Sequence, residues 1–308
     1  MSREQRVRVD ALLRQPRPGG PQSVEAFRDR FKSTMAQMIV PGGIRTTRTT
    51  LAGRPALHIA PDNNPRRGMI LYFHGGGWVA GSPETALSMT GHLVAKTGFT
   101  SYSLDYRLAP EHPFPAAIDD ALRAYRALLD SGQEPSAIAF AGDSAGGALT
   151  VTTCLAARDA GIPLPAAIVA FSPSLDATGS GESMDTKAGI DPIFTREYLK
   201  ETIAPLYLAG QDPRQPMASP ALSADPTGFP PMLLQAGTNE VLLDDSTRMA
   251  ARARTVGVNV ILDVTADVPH VFQSFAGVLD EADEALERTA LFLTQHVRST
   301  EPAAVSAR

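Results

Sequence analysis

The pentapeptide Gly-Asp-Ser-Ala-Gly at residues 142–146 decides how the rest of the chain is interpreted. An apolar run, Ala137 to Ala141, precedes it, and a helix-like run, Ala148 to Arg158, follows it. A serine with a glycine two residues away on each side, between a strand and a helix, is typical of a nucleophile elbow, a tight turn that lifts the hydroxyl clear of the backbone. The pentapeptide also occurs by chance in glycine-rich proteins, so its neighbours decide its meaning. With a His-Gly-Gly-Gly upstream, they predict a serine hydrolase.

Short apolar segments alternate with helix-like segments along most of the chain, which predicts an α/β fold with a mainly parallel sheet covered on both faces. The predicted strands are Ile44 to Leu51, Ala56 to Ile59, Met69 to Phe73, Phe99 to Leu104, Ala137 to Ala141, Ala166 to Phe171, Met232 to Gln235 and Asn259 to Val264. The predicted helices of this repeat are Ala116 to Leu129, Gly146 to Ala160, Ser246 to Thr255 and about Asp280 to Val297.

Two segments stand outside the repeat and are predicted to form a helical cap. Apolar residues recur at helical spacing over Ser23 to Ile39, with Ser23 as N-cap, and a Pro/Gly break at Pro16 to Pro21 precedes that helix. The region 174–225 is rich in Gly, Pro, Ser and Asp, with one helical stretch near Thr195 to Ala204. We therefore predict cap helices at 1–45, a catalytic core at 46–180 and 221–300, a cap insert at 181–220 and an unstructured tail at 301–308. Such a cap would cover the sheet's carboxyl edge, where ligands bind in open α/β folds.

The apolar content of 43% and charged content of 20% are ordinary for a soluble globular protein. The net charge of −5 argues against nucleic acid as a partner. No run is long and apolar enough to span a membrane, and the N-terminus does not resemble a secretory signal, so we expect a cytoplasmic location. The single cysteine, Cys154, excludes an internal disulfide and is interpreted as a packing residue.

A serine nucleophile needs a base within hydrogen-bond reach, because its hydroxyl is protonated at neutral pH. In folds built around such an elbow the acid follows the nucleophile and the histidine comes last, which leaves His270 and His296. His296 falls in the closing helix. His270 follows the loop Ala266 to Pro269, and loops at strand ends are where catalytic groups sit. We predict His270 as the base.

The acid is expected after a strand between the serine and the histidine. Glu240 follows the strand that starts at Met232 and is the first candidate. Asp244 and Asp245 are alternatives, although both could instead cap a helix N-terminus. Asp267 is a further alternative, although its closeness to the histidine in sequence would require an awkward turn.

The segment His-Gly-Gly-Gly-Trp at residues 74–78 follows a predicted strand. Consecutive glycines let backbone N–H groups approach a ligand, as an oxyanion hole requires, and the residue after the nucleophile supplies a further N–H. The predicted oxyanion donors are Gly75, Gly76, Gly77 and Ala145. Trp78 and Asp143 are predicted to bind the substrate. His74 is interpreted as a hydrogen-bonding residue that holds this loop. No nucleotide motif or metal-ligand spacing is present, so we expect neither a cofactor nor a metal.

The segments at 74–78, 106–112 (Tyr-Arg-Leu-Ala-Pro-Glu-His) and 142–147 together resemble the bacterial hormone-sensitive-lipase family of esterases, over about residues 25 to 297. The resemblance implies an α/β-hydrolase fold, Ser144 as nucleophile, His270 as base and Gly76, Gly77 and Ala145 as oxyanion donors. It also implies a cofactor-free carboxylesterase for short- to medium-chain acyl esters, often a homodimer. Many members carry Asp-Pro-Leu at the acid position, where this chain has Glu240-Val-Leu.

Two other functions are compatible with the scaffold. A lactone hydrolase, or a deacetylase of a small natural product, would use the same residues with a different pocket. A ligand-binding receptor would need no catalysis. Plant gibberellin receptors resemble this family but lack the catalytic histidine, whereas His270 is present here.

Overall fold

A computed structural model describes residues 2–15 and 23–298, and one eight-stranded sheet lies at its centre. The sheet order is β1-β2-β4-β3-β5-β6-β7-β8; β1 and β4 both pair antiparallel with β2, and every other pairing is parallel. This confirms the predicted α/β class with a mainly parallel sheet. The strands are β1 (Ile44–Leu51), β2 (Arg54–Pro61), β3 (Met69–Phe73), β4 (Thr100–Leu104), β5 (Ile138–Asp143), β6 (Ala167–Phe171), β7 (Met232–Asn239) and β8 (Val260–Pro269).

Helices pack on both faces of the sheet. In chain order they are α1 (Ser2–Leu13), α2 (Val24–Met35), α3 (Leu87–Thr97), α4 (Ala116–Asp130), α5 (Ala145–Asp159), α6 (Ser183–Thr186), α7 (Arg196–Tyr198), α8 (Ala204–Leu208), α9 (Pro220–Ser223), α10 (Leu243–Thr255) and α11 (Asp280–His296). Within the described ranges, no helix is long and apolar enough to cross a lipid bilayer. Helix α3 was not predicted, because Gly91 and the buried Ser88 and Thr90 interrupt the apolar pattern that marks a helix.

The core has two layers because side chains of β3 and β5 alternate between the two faces of the sheet. Leu71 and Phe140 belong to the layer that contains α4 and α5, and Ile70 and Ala139 to the layer that contains α3 and α11. All residues of β3 and β5 are buried. Burying one such large apolar side chain contributes roughly 1.5–3 kcal/mol. The central strands are therefore a rigid base for whatever follows them.

Strands β7 and β8 run further than predicted, to Asn239 instead of Gln235 and to Pro269 instead of Val264. Gly237 pairs with Thr265, and Asn239 with Pro269, with an irregularity between the two pairs. Because β8 is an edge strand, polar residues that look like a loop can be half-solvated and still belong to the sheet. His270 therefore follows the end of a strand directly, and the predicted loop at 266–269 is wrong.

The N-terminal helices attach to the core through arginines. The Arg28 guanidinium donates to the carbonyls of Val79 (2.8 Å) and Ala109 (3.0 Å) and pairs with Glu111 (2.6 Å). Ser23 caps α2 as predicted, its Oγ accepting from an N–H of the first turn. Residues 16–22 and the tail at 301–308 lie outside the described residues.

The segment predicted as one helix near Thr195 to Ala204 consists of α7, a π-helical turn over Leu199–Ile203, and α8. Pro205 lies near the start of α8 and lacks the N–H that a continuous α-helix would use there. Ile203, in the π-helical turn, lies against Gly77. The insert thus reaches the glycine loop that follows β3.

Candidate active site

Ser144 lies at the turn between β5 and α5. Its backbone has φ 53° and ψ −118°, an unfavourable conformation for a residue with a side chain, and its N–H donates to the Phe171 carbonyl at 2.8 Å. A Cβ at Gly146 would overlap the Phe73 and His74 carbonyls, and one at Gly142 would overlap the Gly146 carbonyl. The strained turn therefore depends on both glycines, and strain of this kind is typical of functional sites.

A chain of hydrogen bonds joins Ser144 to two buried side chains. Ser144 Oγ lies 2.9 Å from His270 Nε2, and His270 Nδ1 lies 2.6 Å from Glu240 Oε2. With the imidazole neutral, Nδ1–H donates to the carboxylate and Nε2 accepts from the serine hydroxyl. A serine, a base and an acid that orients the base are thus in line, the arrangement that activates a nucleophilic serine.

The other carboxylate oxygen of Glu240 is also fixed. Oε1 accepts from the Ser172 hydroxyl at 2.9 Å and from the Gly237 N–H at 2.7 Å. The Ser172 hydroxyl in turn accepts from the Val271 N–H at 3.0 Å, beside His270. Sequence reasoning missed Ser172, although a polar residue directly after the buried strand β6 was a signal for it.

The rejected candidates have other partners. The Asp244 carboxylate accepts from the Ser183 N–H, and the Asp245 carboxylate from the Leu175 and Asp176 N–H groups. Asp267 is exposed and pairs with Arg6. His296 bonds to a carbonyl of its own helix. Of the carboxylates weighed, the structure brings only Glu240 against His270.

Three backbone N–H groups beside the serine have no hydrogen-bond partner among the described residues. Among the described residues, those of Gly76 and Gly77 have no hydrogen-bond acceptor, and Ala145 is the first residue of α5, where an N–H has no acceptor within the helix. All three residues line the same cavity as Ser144. Backbone N–H groups placed in this way stabilise a developing oxyanion.

The predicted role of Gly75 needs correction. Its N–H donates to Asp143 Oδ1 at 3.1 Å, so it is not free for a substrate oxygen. Asp143 lines the cavity, but the same oxygen also accepts from the Tyr72 hydroxyl at 2.8 Å. Burial raises the pKa of Asp143 to about 6. Asp143 therefore holds the glycine loop against the elbow, and its predicted contact with the substrate stays a prediction.

His74 and Trp78 flank the glycines. His74 is fully buried, stacks on Tyr106 with ring centroids 4.1 Å apart, and has Nδ1 2.8 Å from the Gly75 carbonyl. This is a loop-holding position, remote from the role of a base. Trp78 lines the cavity and also stacks on Tyr207 at 4.0 Å, so it contacts both the cavity and the packed interior.

The stability of the protein should depend on pH through His74. Burial lowers its pKa to about 4, from 6.5. Between these values the unfolded chain binds the proton and the folded ring does not, so this contribution to stability is lost as pH falls from 6.5 towards 4. The loss amounts to about 2 kcal/mol at pH 5. Asp143 has a raised pKa, so its carboxyl binds a proton more readily in the folded protein than in the unfolded chain. Its contribution to the free energy of unfolding therefore increases as pH falls below 6, opposite to that of His74.

Urea unfolding of the wild type and of His74→Phe at pH 7 and pH 5 separates the contribution of His74 from that of Asp143. Phenylalanine can still stack on Tyr106 but does not titrate. The free energy of unfolding of the wild type should fall by about 2 kcal/mol more than that of the variant over this interval. An equal pH dependence of the two proteins would contradict the neutral, buried imidazole.

A cavity of about 350 Å³ opens onto the serine, and most of its lining is apolar. Helices α1 and α2, the insert and the segment after β8 all contribute. Its apolar lining includes Leu12, Phe27, Phe31, Met35, Phe194, Leu199, Ile203, Leu242, Val271 and Phe275.

No group of three or more His, Cys, Asp or Glu side chains within the described part of the chain could hold a metal ion.

Known proteins are similar to this chain in sequence and in fold. Residues 70–274 match a family described as the alpha/beta hydrolase fold. An acetyl-hydrolase of Streptomyces hygroscopicus is 42% identical over 224 residues, 73% of this chain and 74% of the relative. The carboxylesterase NlhH of Mycobacterium tuberculosis is 34% identical over 239 residues, 75% of this chain and 73% of the relative. A crystal structure of an esterase from the bacterial hormone-sensitive lipase family has a TM-score of 0.92 and 40% identity, covering 96% of this chain and 99% of that one.

Fold, site and relatives define the protein as an α/β-hydrolase that acts on carboxylic esters. Within that class, the chain belongs to the bacterial hormone-sensitive lipase family. The predicted family and fold are thereby confirmed, and the protein is a serine carboxylesterase.

Proposed function

We propose that Ser144, His270 and Glu240 are the catalytic triad of this esterase and that Gly76, Gly77 and Ala145 form its oxyanion hole. The single observation that carries the proposal is the continuous hydrogen-bond chain from Ser144 Oγ through His270 to Glu240, at 2.9 and 2.6 Å. The serine end of this hydrogen-bond chain lies in the cavity, beside the N–H groups of Gly76, Gly77 and Ala145. Nucleophile, base, orienting acid and oxyanion donors then meet at one point, as acyl transfer requires.

In the acylation step, Ser144 Oγ attacks the ester carbonyl carbon while His270 Nε2 takes the hydroxyl proton. The carbonyl oxygen becomes an oxyanion and accepts from the N–H groups of Gly76, Gly77 and Ala145. Glu240 holds the imidazole tautomer and stabilises the imidazolium. The intermediate collapses with cleavage of the bond to the alcohol oxygen, which leaves with the proton from His270.

Deacylation repeats these steps with water. His270 Nε2 takes a proton from water, and the resulting hydroxide oxygen attacks the carbonyl carbon of the acyl-serine. The same N–H groups bind the second oxyanion. The bond to Ser144 Oγ then breaks, the proton returns to the serine, and the carboxylic acid is released.

We propose short- to medium-chain acyl esters as substrates. Helices α1 and α2 and the insert act in this proposal as a cap that limits the cavity to about 350 Å³. The acetyl-hydrolase relative, and an ethyl acetate hydrolase of Pseudomonas putida that is 31% identical, favour acetyl esters as a second candidate class. Removal of an acetyl group from a small natural product would use the same chemistry.

The proposal includes a homodimer, as the resemblance implies. Strand β8 lies at the edge of the sheet and exposes Ile261 (53%) and Val264 (40%). An exposed edge strand with apolar side chains is a surface on which a second chain can pair.

A panel of p-nitrophenyl esters from acetate to palmitate tests the function. We expect the highest kcat/KM between acetate and the medium-chain esters and at least about a tenfold decrease at palmitate, since the long chain exceeds a cavity of this kind. The result that would contradict the esterase proposal is the absence of hydrolysis at every chain length. In that case a ligand-binding role would replace it.

A further inference from the structure

We propose that Asp191 is a positioning residue that holds the Glu240 loop and the pocket wall beside His270 in one fixed arrangement. The inference rests on the proposed function, because it assigns Asp191 a role through the catalytic acid. Asp191 lies in the segment between α6 and α7, which belongs to the insert. It does not line the cavity, so it acts on the reaction only through its neighbours.

The Asp191 carboxylate joins two separate parts of the chain. Oδ1 accepts from the N–H groups of Ile193 (2.7 Å) and Phe194 (3.0 Å), which belong to the pocket wall. Oδ2 accepts from the Val241 N–H at 2.8 Å, in the residue that directly follows Glu240. One side chain therefore determines the distance between the pocket wall and the acid.

The position requires a carboxylate specifically. Asp191 is only 6% exposed, and its carboxylate accepts from three backbone N–H groups. Burial raises its pKa, while the backbone N–H donors and His270 act in the opposite direction. An asparagine at this position could accept hydrogen bonds with its one carbonyl oxygen. Its NH₂ group would face the backbone N–H on the other side, so that a buried donor would be left without an acceptor.

Both attached segments touch the reacting residues. The Phe194 ring lies edge-on to the His270 imidazole, with centroids 5.0 Å apart and an interplanar angle of 74°. On the other side, the Val241 carbonyl accepts from the Ser183 hydroxyl at 2.5 Å, so the insert holds Val241 by its N–H and by its carbonyl. A shift of Asp191 would thus reach His270 through Glu240 and through Phe194.

The test is a double-mutant cycle. Asp191→Asn is measured in the wild type and in Glu240→Ala, with p-nitrophenyl butyrate as substrate. In the wild type we expect kcat to fall on the order of tenfold to a hundredfold, with a smaller change in KM, because misplacing catalytic groups by about 1 Å costs up to about 10²-fold. In Glu240→Ala the same change should cost at least about fivefold less than in the wild type, since no acid remains to be positioned and only the contact of Phe194 with His270 can still transmit the change.

Two further variants control the cycle. Asp185→Asn changes an exposed carboxylate of the same insert that pairs with Arg196, and it should leave kcat unchanged. Ser183→Ala removes the hydroxyl that donates to the Val241 carbonyl and accepts from the Asp244 N–H at 3.1 Å, and it leaves Asp191 in place. It should also lower kcat in the wild type and not in Glu240→Ala, so a failure of Asp191→Asn to fold does not prevent the test.

The inference would be overturned if Asp191→Asn left kcat unchanged, or if it lowered kcat by the same factor in the wild type and in Glu240→Ala. Either result would assign Asp191 a purely structural role. Failure of the proposed function would be seen separately. In that case Glu240→Ala itself would retain nearly full activity, before Asp191 enters the comparison.

Discussion

Replacing Ser144 with alanine is expected to lower kcat for p-nitrophenyl butyrate by about 10⁴-fold or more, in line with the loss when a serine nucleophile is removed from a triad. The physical reason is that the hydroxyl lost in this variant is the one that lies 2.9 Å from His270 Nε2, at the strained turn that presents it to the cavity. KM should change little, because the oxyanion glycines and the apolar walls remain in place. Steady-state kinetics of the purified variant measure both quantities.

Ser174→Ala is the matched control for this variant, because Ser174 lines the same cavity while the ring nitrogens of His270 bond to Glu240 and Ser144. We expect its kcat to remain within about threefold of the wild type, as for a substitution outside the reacting groups. Activity that survives in Ser144→Ala, or that is lost equally in Ser174→Ala, would contradict the nucleophile assignment.

The second largest effect is expected at Glu240. Its replacement by alanine should lower kcat by about 10³-fold or more, because the imidazole loses the partner that fixes its tautomer and stabilises its charged form. The Gly237 N–H, which now bonds to the carboxylate, cannot replace it because it can only donate, and the Ser172 hydroxyl carries no charge with which to stabilise the imidazolium.

The alternative acids are the controls for this prediction. Asp267→Ala and Asp244→Ala should each cost less than about tenfold in kcat, since these carboxylates bond to Arg6 and to the Ser183 N–H and not to His270. A loss in Asp267→Ala that exceeds the loss in Glu240→Ala would show that the acid has been assigned to the wrong residue.

The sequence predicted those parts of the site that depend on local chain geometry. The elbow at Ser144 is specified by its own glycines and by the strand and helix on either side, all within a few residues. His270 and Glu240 could be selected because chain order and strand ends restrict where a base and an acid can come from. The sheet was predictable because short apolar runs between helices favour parallel strands.

The parts that the sequence did not reveal depend on contacts between distant segments. The N–H of Gly75 is used by Asp143, which is 68 residues away, and no local pattern indicates that bond. Ser172 likewise meets Glu240 across 68 residues. The ends of β7 and β8 extend because the two strands pair with each other, and pairing does not depend on apolar content.

In the proposed mechanism Ser144 Oγ becomes covalently acylated, and a covalent label tests this step most directly. The enzyme is incubated with diethyl p-nitrophenyl phosphate, which phosphorylates an activated serine, and the product is analysed by intact mass and peptide mapping. We predict one diethylphosphoryl group per chain, on Ser144, with activity lost in proportion to labelling and no label in Ser144→Ala. A label on another residue, or full activity in a chain labelled at Ser144, would contradict the mechanism.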